Sequence, residues 1–201
     1  MTAAQADLQI DRPSVADGAA LWRMARDSKV LDLNSSYSYL LWCRDFAATS
    51  AVARDENGEP VGFVTAYVRP DRPDTLLVWQ VAVDESHRGR GLAAALLDGL
   101  VARTVTERGL STVETTITPG NTASERLFTS FAERHGARLE REVLFETAVF
   151  PDGPCDVTHL ARFSVNEVNT TDQWCSFSPS RPSASIRTGL ESMGTRTRWT
   201  R

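Results

Sequence analysis

The chain has 201 residues, 41% of them hydrophobic, with a net charge of −4. Length and composition suit one globular domain with an ample core. The acidic balance argues against nucleic-acid binding. No run of ~20 apolar residues suggests a membrane span, and no basic start followed by an apolar block suggests a signal peptide, so cytoplasm is the expected location.

Ile10 to Pro13 reads as a first strand. Ser14 then opens a helix, with Asp17 in the capping-box position, and Ala20, Leu21 and Met24 give that helix an apolar face. In LDLNSSYSYLLWCRDF (31–46) a polar Asp-Asn-Ser-Ser knot opens an aromatic, apolar helix. Thr49–Arg54 and Pro60–Tyr67 are strands joined by an Asp-Glu-Asn-Gly turn. Arg69–Asp74 reads as a Pro-rich loop, and Leu76–Val83 as a central strand.

The next stretch carries the most information. In WQVAVDESHRGRGLAAALL (79–97) an apolar strand runs into a Gly/Arg turn that opens a helix. Gly89 and Gly91 let the backbone turn sharply and approach a ligand. Arg88 and Arg90 add positive charge, and the free N–H groups of the helix start point the same way. A pyrophosphate fits such a site, although a tight structural connection has the same outline. Neither G-x-G-x-x-G nor Gly-Lys-Ser/Thr is present, so this is neither a dinucleotide fingerprint nor a P-loop.

The helix from Gly91 ends at Gly109, a left-handed cap. Ser111–Thr118 is a strand, Thr122–His135 a helix closed by Gly136, and Arg138–Thr147 a strand. The alternation is mixed α/β. Residues 161–201 are Ser/Thr/Arg-rich, with six arginines against Glu167, Asp172 and Glu191, a net of +3 that leaves −7 for residues 1–160. Such text favours disorder. A domain over 1–160 and a polar extension over 161–201 are the expected organisation. Cys43, Cys155 and Cys175 lack metal-site or disulfide spacing. Cys43 reads as a buried thiol, and no metal is expected.

Read from Arg88, R-x-x-G-x-A resembles the acyl-CoA loop of the GNAT acetyltransferase superfamily. That resemblance implies acetyl-CoA as cosubstrate. It also implies a mostly antiparallel sheet with splayed central strands, flanked by helices. Trp79–Val83 would part from Val113–Thr118, so that backbone groups of Val81 and Val83 bind the pantetheine. Amides of Arg88, Gly89, Arg90, Gly91, Leu92 and Ala93 would hold the pyrophosphate. Asn121 is a pantetheine or substrate ligand, or a helix cap.

Acetyl transfer needs a deprotonated amine, a donor for the developing oxyanion and a proton for the departing thiolate. Many superfamily members supply that proton from a Tyr where this chain has Phe128, which leaves Tyr37 and Tyr39 as candidates. Asp32 or main-chain carbonyls can relay the amine's proton through water.

Together, LDLNSSYSYLLWCRDF, LLVWQVAVDESHRGRGLAAALLDGL and TTITPGNTASERLF resemble the L-2,4-diaminobutyrate acetyltransferases of ectoine synthesis, over about residues 9–159. The resemblance implies acetylation of the γ-amine of L-2,4-diaminobutyrate by a homodimer. Asp32 suits the α-ammonium, Trp79 the alkyl chain or a cation, and Asn34, Ser35 and Ser36 the carboxylate. Tyr37 would meet substrate or thiolate. Equally, Asp32 can cap a helix and Trp79 can be core.

The family continues after the equivalent of His159, a substrate-side position, with an acidic residue and an apolar strand. Here Leu160-Ala161-Arg162-Phe163 follows, as a frameshift or recombination near Leu160 would produce, with Phe163–Val168 as an improvised edge strand. A GNAT enzyme for another small amine, or an acetyl-CoA binder with impaired turnover, are the alternatives.

Overall fold

The computed structural model describes residues 8–149 and 158–165. Cys155, Cys175 and the segment after Val165 lie outside them. The chain runs β1 (Gln9–Asp11), α1 (Gly18–Ser28), α2 (Ser36–Asp45), β2 (Ala51–Arg54), β3 (Pro60–Arg69) and β4 (Arg72–Val83). It continues with α3 (Leu92–Arg108), β5 (Thr112–Ile117), α4 (Thr122–His135), β6 (Arg138–Phe145) and β7 (Thr158–Ser164). The strands form one sheet in the order β1-β2-β3-β4-β5-β7-β6. Every neighbouring pair is antiparallel except β4–β5.

Sequence chemistry accounts for most element ends. The Asp17 carboxylate accepts bonds from the Ser14 amide (2.7 Å) and hydroxyl (3.0 Å) ahead of α1. The same carboxylate takes a two-pronged bond from Arg54, both contacts at 2.8 Å, which pins the helix start to β2. Asn121 caps α4 by accepting from the Ser124 amide at 3.1 Å, and Gly109 and Gly136 close α3 and α4 in the left-handed conformation.

Alternation along the strands gives the sheet two different faces. Leu76, Val78, Val113, Ile117, Ala161 and Phe163 pack against α3 and α4, where Leu96, Leu97, Leu100 and Phe131 are buried. On the opposite face Val52, Phe63 and Ala82 pack against Leu21, Met24, Tyr39 and Cys43 of α1 and α2. Burying side chains such as Leu21 or Phe63 stabilises the fold by roughly 2 kcal/mol each.

Two expectations need correcting. Arg69–Asp74 is no loop: Arg69 pairs with Arg72 in a tight hairpin, and Pro73 lies in β4. The β3–β4 register breaks just there, where a proline's missing N–H interrupts no ladder. The last strand is also not an edge. β7 lies between β5 and β6, with Ala161, Phe163 and Val165 buried, so the sheet runs past residue 160.

Candidate active site

Pairing between β4 and β5 covers only Thr75–Val78 against Thr112–Thr115. Beyond Val78 the strands part, and β4 from Trp79 to Val83 turns its far edge toward the seam. A strand edge of this kind presents N–H and C=O groups to an extended ligand. The side chains of Val81 and Val83 pack toward α3, so only their backbone faces the opening.

The seam leads to the glycine turn. Gly89 and Gly91 have φ of 75° and 74°, values that L side chains rarely adopt. A Cβ at either position would meet nothing within 4 Å. Glycine is therefore needed for conformation, and the space over the turn is open to a ligand. Arg90 is exposed. Arg88 is exposed too, and its Nε donates to the Val83 carbonyl at 3.2 Å, tying the turn to the end of β4. In α3 the amides of Leu92 and Ala93 belong to the first turn, whose N–H groups have no intrahelical acceptor. Leu92 itself is buried. It sits over Gly62 of β3, where a Cβ would approach Leu96 to 3.0 Å and Leu92 to 3.4 Å. Gly62 thus lets the start of α3 lie close to the sheet. An acyl-CoA fits this arrangement: the open edge matches an amide-bearing arm, and the amide-lined turn matches a pyrophosphate.

On the α1/α2 face, residues 31–35 form the second half of the site. Ser28 Oγ accepts from the amides of Val30 (3.3 Å) and Leu31 (3.2 Å), which sets the chain's exit from α1. Asp32, Ser35, Ser36 and Tyr37 are exposed and Asn34 is half-buried. Ser35 caps α2, its Oγ accepting from the Ser38 amide at 3.4 Å. Trp79 is 46% exposed and stacks on Trp42 of α2, with ring centroids 6.4 Å apart and planes 25° apart. Trp79 is thus on the surface of this face, not in the core.

Gln80, which the sequence reading overlooked, connects the two halves. The β3–β4 register shifts between Thr65↔Gln80 and Ala66↔Val78, so Trp79 is an extra residue in a bulge. Trp79 and Gln80 consequently both point to the α2 side. Gln80 is buried; it accepts a bond from the Tyr39 hydroxyl at 3.0 Å and donates to the Asp32 carbonyl at 2.9 Å. Its signal in the sequence is one amide within the apolar run LLVWQVAV.

Other expected residues separate by role. Tyr39 is fully buried, and burial raises its pKa above the ordinary tyrosine value even though its hydrogen bond to Gln80 acts the other way. Of the two tyrosines, only Tyr37, 63% exposed, is accessible. Phe128 is a packing residue, stacked on Phe163 at 5.9 Å. Asn121 is the cap of α4, which leaves its NH2 group as the only part free for a ligand. His159 does not join the Asp32–Trp79 cluster. It pairs with Ile117 and shares the strand face of Ala161 and Phe163, on the α3/α4 side. Among the described residues no group of His, Cys, Asp or Glu is arranged to hold a metal ion, and no helix is long and apolar enough to cross a membrane.

The chain matches the acetyltransferase (GNAT) family over residues 19–132. It is 81% identical over 162 residues to the L-2,4-diaminobutyric acid acetyltransferase of Streptomyces coelicolor, covering 81% of this chain and 95% of that one. The Nocardia farcinica protein of the same name is 50% identical over 151 residues, covering 74% of this chain and 77% of its own. Among solved structures, the diaminobutyrate acetyltransferase of Paenibacillus lautus, in complex with its substrate L-2,4-diaminobutyric acid and coenzyme A, superposes with a TM-score of 0.74 at 38% identity, over 80% of this chain and 96% of that one. Ard1 of Thermoplasma volcanium, at 19% identity and a TM-score of 0.64 over 80% and 99% of the two chains, shares the fold. An open seam, a glycine turn and an acidic-aromatic loop on one GNAT sheet, together with these relatives, place the chain in the L-2,4-diaminobutyric acid acetyltransferase family.

Proposed function

We propose that the chain transfers acetyl from acetyl-CoA to the γ-amine of L-2,4-diaminobutyrate, giving N-γ-acetyl-diaminobutyrate for ectoine formation. One observation carries this reading. The Paenibacillus lautus relative, 38% identical across 96% of its length, holds both that diamino acid and coenzyme A.

Acetyl-CoA brings an acetyl group already activated as a thioester. Backbone groups of Val81 and Val83 would bind its pantetheine arm, the Asn121 NH2 group would assist, and amides from Arg88 to Ala93 would bind its pyrophosphate, with Arg90 adding charge. The acceptor carries two amines that are cationic at neutral pH, since an alkyl amine titrates near pKa ~10. The Asp32 carboxylate holds the α-ammonium and so directs the other amine to the seam. The face of Trp79 packs on the short alkyl chain. Asn34, Ser36 and the Ser35 cap, at the start of α2, suit the carboxylate because helix N-termini favour anions. The γ-amine loses its proton to water held by Asp32, and the Tyr37 hydroxyl protonates the departing thiolate.

We further place the enzyme in the cytoplasm, where acetyl-CoA is made, as a homodimer. Val143, about half exposed on edge strand β6, favours such an interface. The catalytic unit we infer ends with β7. Because Ala161, Arg162 and Phe163 are built into the sheet, we place the frameshift or recombination behind the Arg-rich text after β7 rather than near Leu160. A Glu-containing apolar strand in another frame of the coding DNA would support that origin, and its absence from every frame would remove it.

The functional test is thiol release from acetyl-CoA with L-2,4-diaminobutyrate, ornithine, lysine or a polyamine. Strong preference for diaminobutyrate is expected. Preference for another amine, or acetyl-CoA binding without thiol release, would overturn the reading.

A further inference from the structure

We propose that Gln80 is the positioning residue that fixes the acceptor loop, and hence decides which of the substrate's two amines is acetylated. The inference rests on the functional reading above and deepens it.

The observations converge on one side chain. Gln80 lies two residues past the last β4–β5 rung, Val78↔Thr115, on the strand whose open edge faces the seam. The bulge at Trp79 turns Gln80 toward α2 rather than α3. Gln80 as a residue is 6% exposed, and its amide bonds Tyr39, which is 0% exposed. A buried amide must satisfy both its oxygen and its nitrogen. The oxygen accepts from Tyr39 and the nitrogen donates to the Asp32 main chain, 48 residues away. The Asp32 main chain is therefore tied by Gln80 to the strand that borders the seam, and Tyr39 of α2 holds the other end of the same amide.

Packing alone does not call for this arrangement. The surrounding core is Leu21, Met24, Phe63 and Ala82, and Phe with Met would fill the same space with no polar group to satisfy. What the polar pair adds is a fixed offset between the Asp32 main chain and β4. The α- and γ-amines of a diaminobutyrate are only a few bonds apart. The choice between them depends on where the Asp32 carboxylate stands relative to the seam, and a displacement on the order of 1 Å is costly for a positioned reaction.

The test compares wild type, Gln80→Met and Tyr39→Phe as full chains. Steady-state kinetics give KM for each substrate, NMR gives the ratio of N-γ to N-α product, and thermal melting confirms folding. Gln80→Met keeps the volume and removes both hydrogen bonds. It is expected to raise KM for diaminobutyrate about tenfold, leave KM for acetyl-CoA within about twofold, and release measurable N-α product. Tyr39→Phe keeps the bond to Asp32 and frees only the amide's other end, so a two- to threefold rise and a smaller shift in product ratio are expected. A merely structural role lowers the melting temperature but leaves the product ratio unchanged. Folded Gln80→Met with wild-type KM and product ratio would overturn the proposal. If Gln80→Met does not fold, the same result with Tyr39→Phe would do so. Wild type that makes no N-γ product overturns the functional reading instead, so the two failures are distinct.

Discussion

Glu114 and Arg162 stand directly opposite one another across the β5–β7 ladder, and the Arg162 Nε meets the carboxylate at 2.7 Å. Arg69 (3.0 Å) and Arg72 (2.6 Å) complete a three-guanidinium cage around this fully buried acid. The cage binds β7 to the β3–β4 hairpin through β5, with a residue from each of four neighbouring strands.

Removing the carboxylate should therefore be worse than removing one arginine. Glu114→Ala takes the shared partner from three arginines, leaving Arg69 its bond to Asp71 and Arg162 its bond to Glu142, and is expected to cost about 3 kcal/mol. Arg162→Ala, which leaves two partners, should cost about 1–2 kcal/mol. Urea unfolding of both variants measures the difference.

The same site predicts an acid response. Burial alone raises the Glu114 pKa, but the bonds and charges of Arg162, Arg69 and Arg72 outweigh it and hold the group below its ordinary 4.5. A carboxyl whose folded pKa is depressed contributes stability that is fully present above its unfolded pKa and lost as pH falls through the folded one. Wild type should thus lose stability below about pH 4.5 more steeply than Glu114→Gln, as followed by unfolding midpoints from pH 6 to 3.

At the cofactor turn, Gly91→Ala meets no protein atom, so its effect is purely conformational. Holding alanine at φ 74° costs about 1–2 kcal/mol. The turn relieves that strain by moving, and acetyl-CoA affinity should fall about tenfold with KM for diaminobutyrate little changed. Calorimetric titration with acetyl-CoA checks the first part and initial rates the second.

The exposed pair Asp32 and Tyr37 should separate binding from chemistry. Asp32→Asn removes the charge proposed for the α-ammonium and should raise KM for diaminobutyrate about tenfold or more. Tyr37→Phe removes the proposed thiol acid and should lower kcat about 10²-fold. Neither should shift the melting temperature appreciably, since both side chains are on the surface.

Cys43 should be chemically silent. Burial first, then the Asp17 charge, pushes its thiol up to about 11, so little thiolate exists at neutral pH. Mass spectrometry after iodoacetamide treatment should find the Cys43 peptide unlabelled in the native protein and labelled in urea.

Local chemistry made some elements readable. Helix α4 spans Thr122–His135, as its Asn121 cap and terminal Gly136 indicate. Strand β4 leaves β5 from Trp79 as the GNAT resemblance implies, although on β5 Val113–Thr115 stay paired and the parting begins only after Thr115. Long-range facts were hidden. Arg69–Asp74 has loop composition, yet strand pairing on both sides makes it a hairpin. Phe163 looked like edge material because its partners, Val113 and Leu139, come from β5 and β6, far earlier in the chain. Tyr37 and Tyr39 look alike in sequence, but two positions on a helix differ by about 200°, so one faces water and the other Gln80. The family resemblance assigns His159 to the substrate side, whereas strand parity puts it on the α3/α4 face with Ala161 and Phe163.

The four rungs between Thr75–Val78 and Thr112–Thr115 make the sheet two leaves rather than one slab. One leaf, β1 to β4, carries the acceptor loop and the glycine turn; the other, β5, β7 and β6, carries the arginine-caged glutamate. An acyl-CoA lying in the seam would bond along the parted edges as an extra strand does, so ligand occupancy and sheet cohesion become one quantity. Slowed amide exchange on both flanks of the seam would then report saturation by acetyl-CoA before any acetyl group has moved.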